Sequence, residues 1–206
     1  MRLDALARAM TARDGFTYSH AQRVQRYAAA LAEACIRDRR TIEAIDAAAL
    51  LHDIGKLGIP DCLLNKPGPL TANEYDQVKR HAIIGADILS AMAFPDPIVL
   101  IVRHHHEHWD GTGYPDGLRG AAIPIGARVL AIVDCYDALT SDRPYRRSVP
   151  HDCATAMIFE RRGTVYEPVL ADAFLRMIEE RRFAPDRERH GLEARAQAPR
   201  RLASAQ

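Results

Sequence analysis

Apolar side chains recur at intervals of three and four residues over most of the chain, a spacing typical of amphipathic helices. The clearest example places Val24, Tyr27, Leu31 and Cys35 on one helical face. The pattern predicts a second helix, an alanine-rich run that is capped by Thr41 and stopped by Gly55, and a long helical segment through His81 that a capping box at Thr71–Glu74 opens. A short helix is predicted from Asp96 to the histidines at 104–106. Further helices are predicted around 129–140, 153–161 and 168–181. The alternating pattern typical of strands is missing, so the predicted fold class is all-α.

Two segments depart from the helical spacing. Between Asp110 and Pro124, four glycines and two prolines interrupt it, which predicts a long loop of the kind that is often functional. After about Phe183 the chain contains mostly Arg, Ala, Gln and Pro, a composition typical of disorder. We therefore predict one domain over residues 1–183 and a disordered tail over residues 184–206.

Composition narrows the class of protein. The 206 residues carry 28 basic and 27 acidic side chains, which gives a net charge of +1. The chain therefore lacks the overall excess of positive charge that is typical of a DNA- or RNA-binding protein. The four cysteines are widely spaced and form no CxxC pair, which predicts reduced thiols rather than disulfides or a cysteine-zinc site.

No run approaches the roughly 18 apolar residues of a membrane span, and no signal peptide is evident. We expect a cytoplasmic protein with no membrane insertion.

Seven of the nine histidines lie between His20 and His108, which is the first indication of function. His52 and Asp53 are adjacent at the predicted end of a helix, and imidazole and carboxylate groups suit manganese, iron, cobalt or zinc. Asp134 falls in an apolar run, where a carboxylate is costly unless it is paired or binds a metal. Each residue alone has a simpler explanation, such as a histidine stabilised by a helix dipole. Together they favour a metal cluster, whose candidate residues are His20, His52, Asp53, His81, His105, His106 and Asp134.

Five short motifs make the assignment more specific. They are HDIGK at 52–56, KPGPL at 66–70, HHE at 105–107, DGTGYP at 110–115 and DCYDALTSDRPYR at 134–146. In this order and spacing, from about Leu3 to Met177, the chain resembles the HD-GYP family of bacterial metal-dependent phosphohydrolases that degrade cyclic di-GMP. The resemblance implies an HD-domain-type helical bundle with a long Gly/Pro-rich GYP loop.

The resemblance also implies roles for individual residues. The seven candidate ligands would bind two divalent ions, Fe or Mn or another divalent metal, with Asp53 as the bridge. Lys56 would contact the substrate phosphate, and Arg143 and Arg146 would hold it with their forked donors. Tyr114 of the GYP loop would border the substrate, and that loop would contact a diguanylate cyclase partner. A third metal, bound in some members through a glutamate four residues before the first histidine, is not expected, since Phe16 occupies that position.

The implied function is a cyclic di-GMP phosphodiesterase that uses a metal-bridging hydroxide to give linear pGpG, with a second cleavage to GMP left open. Two alternatives remain open at this point. Because no residue in the sequence is identified as reading guanine, the substrate could be another cyclic nucleotide or dinucleotide. The other alternative is a non-catalytic module that binds cyclic di-GMP or a cyclase, which the complete ligand set disfavours.

Overall fold

The chain folds into helices joined by turns and loops. A computed structural model describes residues 3, 6–7, 18–142 and 147–180, and no β-strand occurs among them. The helices are α1 (Tyr18–Cys35), α2 (Arg39–Leu51), α3 (Asp61–Leu64), α4 (Ala72–Lys79), α5 (His81–Ala91), α6 (Asp96–His104), α7 (Ile125–Thr140), α8 (His151–Glu160) and α9 (Pro168–Glu179), with short 3-10 helices at Ile54–Gly58 and Gly120–Ala122. The predicted all-α fold is confirmed.

Helix α1 is central to the core, because it packs against α2, α7 and α9. Three fully buried aromatic rings meet there edge to face: Tyr27 lies 5.5 Å from Tyr136, and Tyr136 lies 5.1 Å from Phe174, between ring centroids. Val24 and Leu31 are buried on the same face of α1, as the spacing predicts. Cys35, the last residue of α1, is exposed.

The N-cap of α2 differs from the prediction. Asp38, not Thr41, caps this helix, because the Asp38 carboxylate accepts hydrogen bonds from the Thr41 backbone nitrogen at 2.9 Å and from its hydroxyl at 2.6 Å. The capping box at the start of α4 is confirmed, since the Thr71 hydroxyl accepts from the Glu74 amide and the Glu74 carboxylate accepts from the Thr71 amide.

The segment that this capping box opens forms two helices instead of one. Helices α4 and α5 meet at Arg80, whose backbone angles stay in the helical region (φ −61°, ψ −17°). His81 is therefore the first residue of α5 and does not lie in the middle of a helix.

Gly55 also has a role other than the predicted helix stop. Helix α2 already ends at Leu51, and Gly55 lies within the 3-10 helix that packs against α5. A Cβ atom at residue 55 would lie 1.8 Å from the carbonyl oxygen of His81 and 2.5 Å from the Gly85 nitrogen. Only glycine permits so close an approach of two backbones. The contact brings the turn after α2 against the start of α5.

The Gly- and Pro-rich loop after α6 is irregular, as predicted, and side chains hold it in place. The buried carboxylate of Glu107 accepts hydrogen bonds from the backbone nitrogens of Asp116 at 2.8 Å and Leu118 at 3.1 Å. Arg103 of α6 donates two hydrogen bonds of 2.8 Å to the Asp116 carboxylate. These contacts fasten the loop that carries Tyr114 to the C-terminal end of α6.

The predicted division into a domain over 1–183 and a tail over 184–206 stays a prediction, because residues 181–206 lie outside the described part of the chain. All four cysteines are described, and no disulfide joins any of them in the structure. None of the helices described here combines the length and apolar character needed to cross a bilayer.

The close approach at Gly55 generates a test of the fold. We expect Gly55→Ala to lower the free energy of unfolding by about 3 kcal/mol, the upper end of the usual cost of overpacking, because the new methyl group overlaps the backbone of α5. Urea unfolding followed by circular dichroism measures this. The control is Ser90→Ala at an exposed position of α5, which should change stability by no more than about 0.5 kcal/mol. Equal stability of the two variants would show that the turn can move away from α5 at little cost.

Candidate metal centre and active site

The candidate ligands predicted from the sequence come together as two groups of three. One group is His81, His105 and His106, and the other is His20, His52 and Asp134. Within each group the potential ligand atoms all lie within 4.8 Å of one another. The residues come from the starts of α1 and α5, the ends of α2 and α6, and the middle of α7. Five separate segments therefore converge on one place.

Asp53 lies between the two groups. Its Oδ2 atom is 3.4 Å from Nε2 of His52, and its Oδ1 atom is 3.7 Å from Nε2 of His81. One carboxylate oxygen thus faces each group, which is the arrangement that a bridging ligand requires. Asp53 can adopt this position because Gly55 brings the turn after α2 against α5.

Backbone carbonyls orient three of the histidines in the same way. Nδ1 of His52, His81 and His105 donates to the carbonyl oxygen three residues earlier, at 2.8, 2.8 and 2.6 Å respectively. Because Nδ1 is the atom that makes each of these hydrogen bonds, Nε2 is the atom directed at the centre, as in metal-binding histidines. Nε2 of His52 is buried and has no hydrogen-bond partner among the described residues, which is unusual for a buried polar atom and fits a metal ligand.

The protonation states of His81, His105 and His106, here called the His81 group, also fit metal binding. Burial lowers the pKa of His105 well below its usual range and, together with His81, lowers the pKa of His106 to about 3. Burial likewise lowers the pKa of His81. These three imidazoles are neutral at pH 7, which is the form that binds a divalent ion.

The carboxylates dominate the second group. Burial disfavours the charged form of His52, but the carboxylates of Asp53 and Asp134 outweigh burial and raise the pKa of His52 to about 9. Burial opposes ionisation of Asp53 too, yet the charges of Lys56 and His52 hold the pKa of this carboxyl well below its usual range. A proton on His52 therefore balances the negative charge at a place where a divalent cation would do the same. The donor set and its charge both fit a pair of divalent metal ions.

Asp137 is a functional residue to which the sequence analysis assigned no role. Its carboxylate is buried and accepts a hydrogen bond of 2.6 Å from Nδ1 of His20 and two from Arg23, at 2.6 and 3.0 Å. These hydrogen bonds outweigh burial and lower the pKa of Asp137. The carboxylate thus orients His20 as the backbone carbonyls orient the other histidines. Its position three residues after Asp134 on α7 was the available signal.

A cavity of about 320 Å³ opens onto the candidate metal ligands. Its polar lining comprises Asp53, Lys56, His81, His106 and Asp134, and its remaining lining comprises Leu63, Leu64, Leu70, Tyr75, Val78 and Tyr114. The Lys56 ammonium donates a hydrogen bond of 2.8 Å to Oδ2 of Asp53. The ring of Tyr114 packs against His106, with 4.9 Å between the centroids. Lys56 and Tyr114, two of the four residues predicted to contact the substrate, thus border the candidate metal centre.

Two predicted site residues cannot be placed. Arg143 and Arg146 lie outside the described residues, as does Phe16, on which the expectation of two rather than three metals rests. Their roles stay predictions.

Comparison with known proteins identifies the family. A family profile described as HD domain matches residues 4–170, most of the chain. The chain belongs to the HD domain family. This finding and the relatives below confirm the resemblance that the motifs carry, and the assignment of His52 and Asp53 as the HD pair stays a prediction.

The chain is also similar to proteins named as cyclic dinucleotide phosphodiesterases. It is 44% identical over 176 residues to the cyclic di-GMP phosphodiesterase response regulator RpfG of Xanthomonas campestris, an alignment covering 84% of this chain and 47% of the relative. It is 37% identical over 172 residues to 3′3′-cGAMP-specific phosphodiesterase 2 of Vibrio cholerae, covering 82% of this chain and 33% of the relative. The HD chain therefore spans about half, or less, of the length of these curated relatives.

Solved structures support the fold. The HDG"Y"P protein Bd1817 of Bdellovibrio bacteriovorus superimposes with a TM-score of 0.65 at 24% sequence identity, over 79% of this chain and 53% of that one. Likeness at this level of identity concerns the helical HD fold alone.

The buried Asp137–Arg23 pair generates a prediction about stability. We expect Asp137→Ala to lower the free energy of unfolding by about 3–5 kcal/mol, because it leaves a largely buried guanidinium without its carboxylate. The matched control is Asp172→Ala, which removes an exposed aspartate–arginine pair of 3.1 Å and should cost no more than about 1 kcal/mol. Chemical denaturation of the three proteins measures both values, and similar losses in the two variants would contradict the assigned role.

Proposed function

We propose that this HD domain is a metal-dependent phosphodiesterase that hydrolyses cyclic di-GMP to linear pGpG, with GMP as the product of a second cleavage. The observation that carries the proposal is the position of Asp53. Its carboxylate lies between two groups of ligands, beside a lysine, at the wall of a cavity. Two relatives, 44% and 37% identical to this chain, support the same function, because both are named as cyclic dinucleotide phosphodiesterases.

The proposed cofactor is a pair of divalent ions, Fe or Mn, held by the His81 group and the His20 group with Asp53 shared between them. When bound, such ions supply Lewis acidity and an activated water for attack on phosphorus. The nitrogen and oxygen donors of the two groups suit these metals. The ordered hydrogen bonds from Nδ1 of three of the histidines hold their rings in place before the substrate arrives.

The remaining residues of the site act on the phosphate. The Lys56 ammonium is partly buried beside Asp53, so its charge can stabilise the negative charge that develops on the phosphoryl oxygens in the transition state. Tyr114 borders the cavity with its phenol neutral, because burial raises the pKa of this group. Arg143 and Arg146 are proposed to hold the phosphate, as the sequence motif implies.

A second candidate substrate is 3′3′-cGAMP, which is named for the relative that is 37% identical. The leucine and valine side chains of the described lining carry no hydrogen-bonding group, so they do not discriminate between guanine and adenine by hydrogen bonding. A diguanylate cyclase partner for the GYP loop and a cytoplasmic location both stay predictions from the sequence.

Removal of the bridging carboxylate tests the reaction. We expect Asp53→Ala to lower turnover of cyclic di-GMP by at least about 100-fold and to reduce the metal content, since both groups of ligands lose a shared oxygen. Chromatography resolves pGpG and GMP, and 3′3′-cGAMP is assayed in parallel. Asp87→Ala, at an exposed position of α5, is the control and should retain wild-type activity. Wild-type turnover by the Asp53 variant at unchanged metal content would refute the proposed mechanism, whereas turnover of 3′3′-cGAMP alone would replace the substrate.

The metal content is a separate prediction. We expect two ions per chain after anaerobic reconstitution with iron(II) or with manganese, because Phe16 cannot ligate at the position where some family members bind a third metal. Elemental analysis of the purified protein measures the ratio, with the Asp87→Ala protein as a control for nonspecific binding. Three ions per chain would contradict the two-metal assignment.

A further inference from the structure

One wall of the cavity is apolar, and its side chains take no part in the proposed reaction at phosphorus. Leu63 and Leu64 of α3, Leu70 after it and Val78 of α4 all line the cavity and are only partly buried. Their side chains lie beside the polar lining contributed by the metal-binding residues. One cavity therefore combines a charged part suited to a phosphodiester with an apolar part suited to a flat, uncharged group.

Tyr75 belongs to this wall and has an accessible aromatic ring. Its side chain is 50% exposed although it lines the cavity, which is unusual for a large aromatic residue. The other tyrosine of the cavity, Tyr114, is partly buried and packs against His106 at 4.9 Å, with 33° between the ring planes. Tyr75 is therefore the aromatic residue of the described lining with more ring surface open to a ligand.

Lys79 relates the two tyrosines to each other. Its ammonium lies 5.3 Å from the ring centroid of Tyr75 and 5.7 Å from that of Tyr114. Tyr114 in turn contacts His106, a ligand of the candidate metal centre. A chain of contacts through Lys79 and Tyr114 therefore connects Tyr75 to that centre. Because Tyr75 and the candidate metal ligands line the same cavity, a nucleoside whose phosphate lies at the metal centre would have its base in the cavity that Tyr75 lines.

We propose that Tyr75 is a stacking platform for a nucleobase of the cyclic dinucleotide, with Leu63, Leu64, Leu70 and Val78 forming the apolar surround. This inference rests on the proposed function, because it takes the phosphodiester to lie at the metal centre. Stacking on an aromatic ring depends on the flat face that every base presents, not on its hydrogen-bonding edge. Tyr75 therefore contributes affinity equally for guanine and adenine.

The test compares Tyr75→Ala, Tyr75→Phe and wild type, all loaded with manganese, on cyclic di-GMP, 3′3′-cGAMP and cyclic di-AMP. We expect Tyr75→Ala to raise KM, or the dissociation constant from equilibrium dialysis, by about 5- to 150-fold for each dinucleotide that wild type accepts. Tyr75→Phe keeps the ring and should stay within about twofold of wild type. Metal content and the midpoint of thermal unfolding should be unchanged in both variants, which a purely structural role for Tyr75 would not allow.

The matched control is Phe159→Ala, which removes another exposed aromatic ring, on α8 and outside the lining of the cavity. It should bind all three dinucleotides as wild type does. Unchanged affinity in Tyr75→Ala, or an equal loss in Tyr75→Phe, would overturn the platform while leaving the proposed function intact. If wild type binds dinucleotides through Tyr75 without hydrolysing them, the platform stands and the proposed function falls. If wild type neither binds nor hydrolyses any of the three, both are overturned.

Discussion

The carboxylate of Asp53 can lie between two groups of ligands because two backbones approach each other unusually closely. Gly55 packs directly on the His81 carbonyl, and this contact sets the turn after α2 against the first residue of α5. That approach sets how near the Asp53 carboxylate comes to His81, the first residue of α5. The packing of one glycine thus helps to place one carboxylate oxygen beside each group of candidate ligands.

The orientation of the histidines depends on a second constraint, the hydrogen bond at Nδ1. Three imidazoles donate to a backbone carbonyl three residues earlier, and His20 instead donates to the buried carboxylate of Asp137. The carbonyls are supplied by the helices themselves. Asp137 is itself held by Arg23 from α1, so the ion pair that joins α1 to α7 also sets the direction of a ligand.

The polar and the apolar parts of the cavity lining come from different helices. The ends of α2 and α6, the start of α5 and the middle of α7 supply charged and imidazole groups, whereas α3 and α4 supply leucine, valine and tyrosine. Under the proposed function, the phosphodiester part of the site uses a fixed set of donors, while the apolar wall with its exposed aromatic ring contacts the flat faces of the bases.

The sequence by itself determined the helical class and the donor types, because both are encoded locally. Apolar spacing predicts helices, and the clustered histidines and aspartates together with the family resemblance name the seven candidate ligands that the structure brings together. Local patterns did not determine the cap of α2, since Asp38 and Thr41 are both good capping residues and only the backbone geometry selects between them.

Tertiary structure alone decided how the ligands divide into two groups, which side chain orients His20 and which aromatic ring stays open in the cavity. Each of these depends on atoms far apart in the chain, such as His20 and Asp137, which are 117 positions apart. Contacts of that kind leave no periodic trace in the sequence, because they arise only when separate helices pack together. The sequence specified the chemical groups, and the packing of α1, α2, α5, α6 and α7 specified which of them meet.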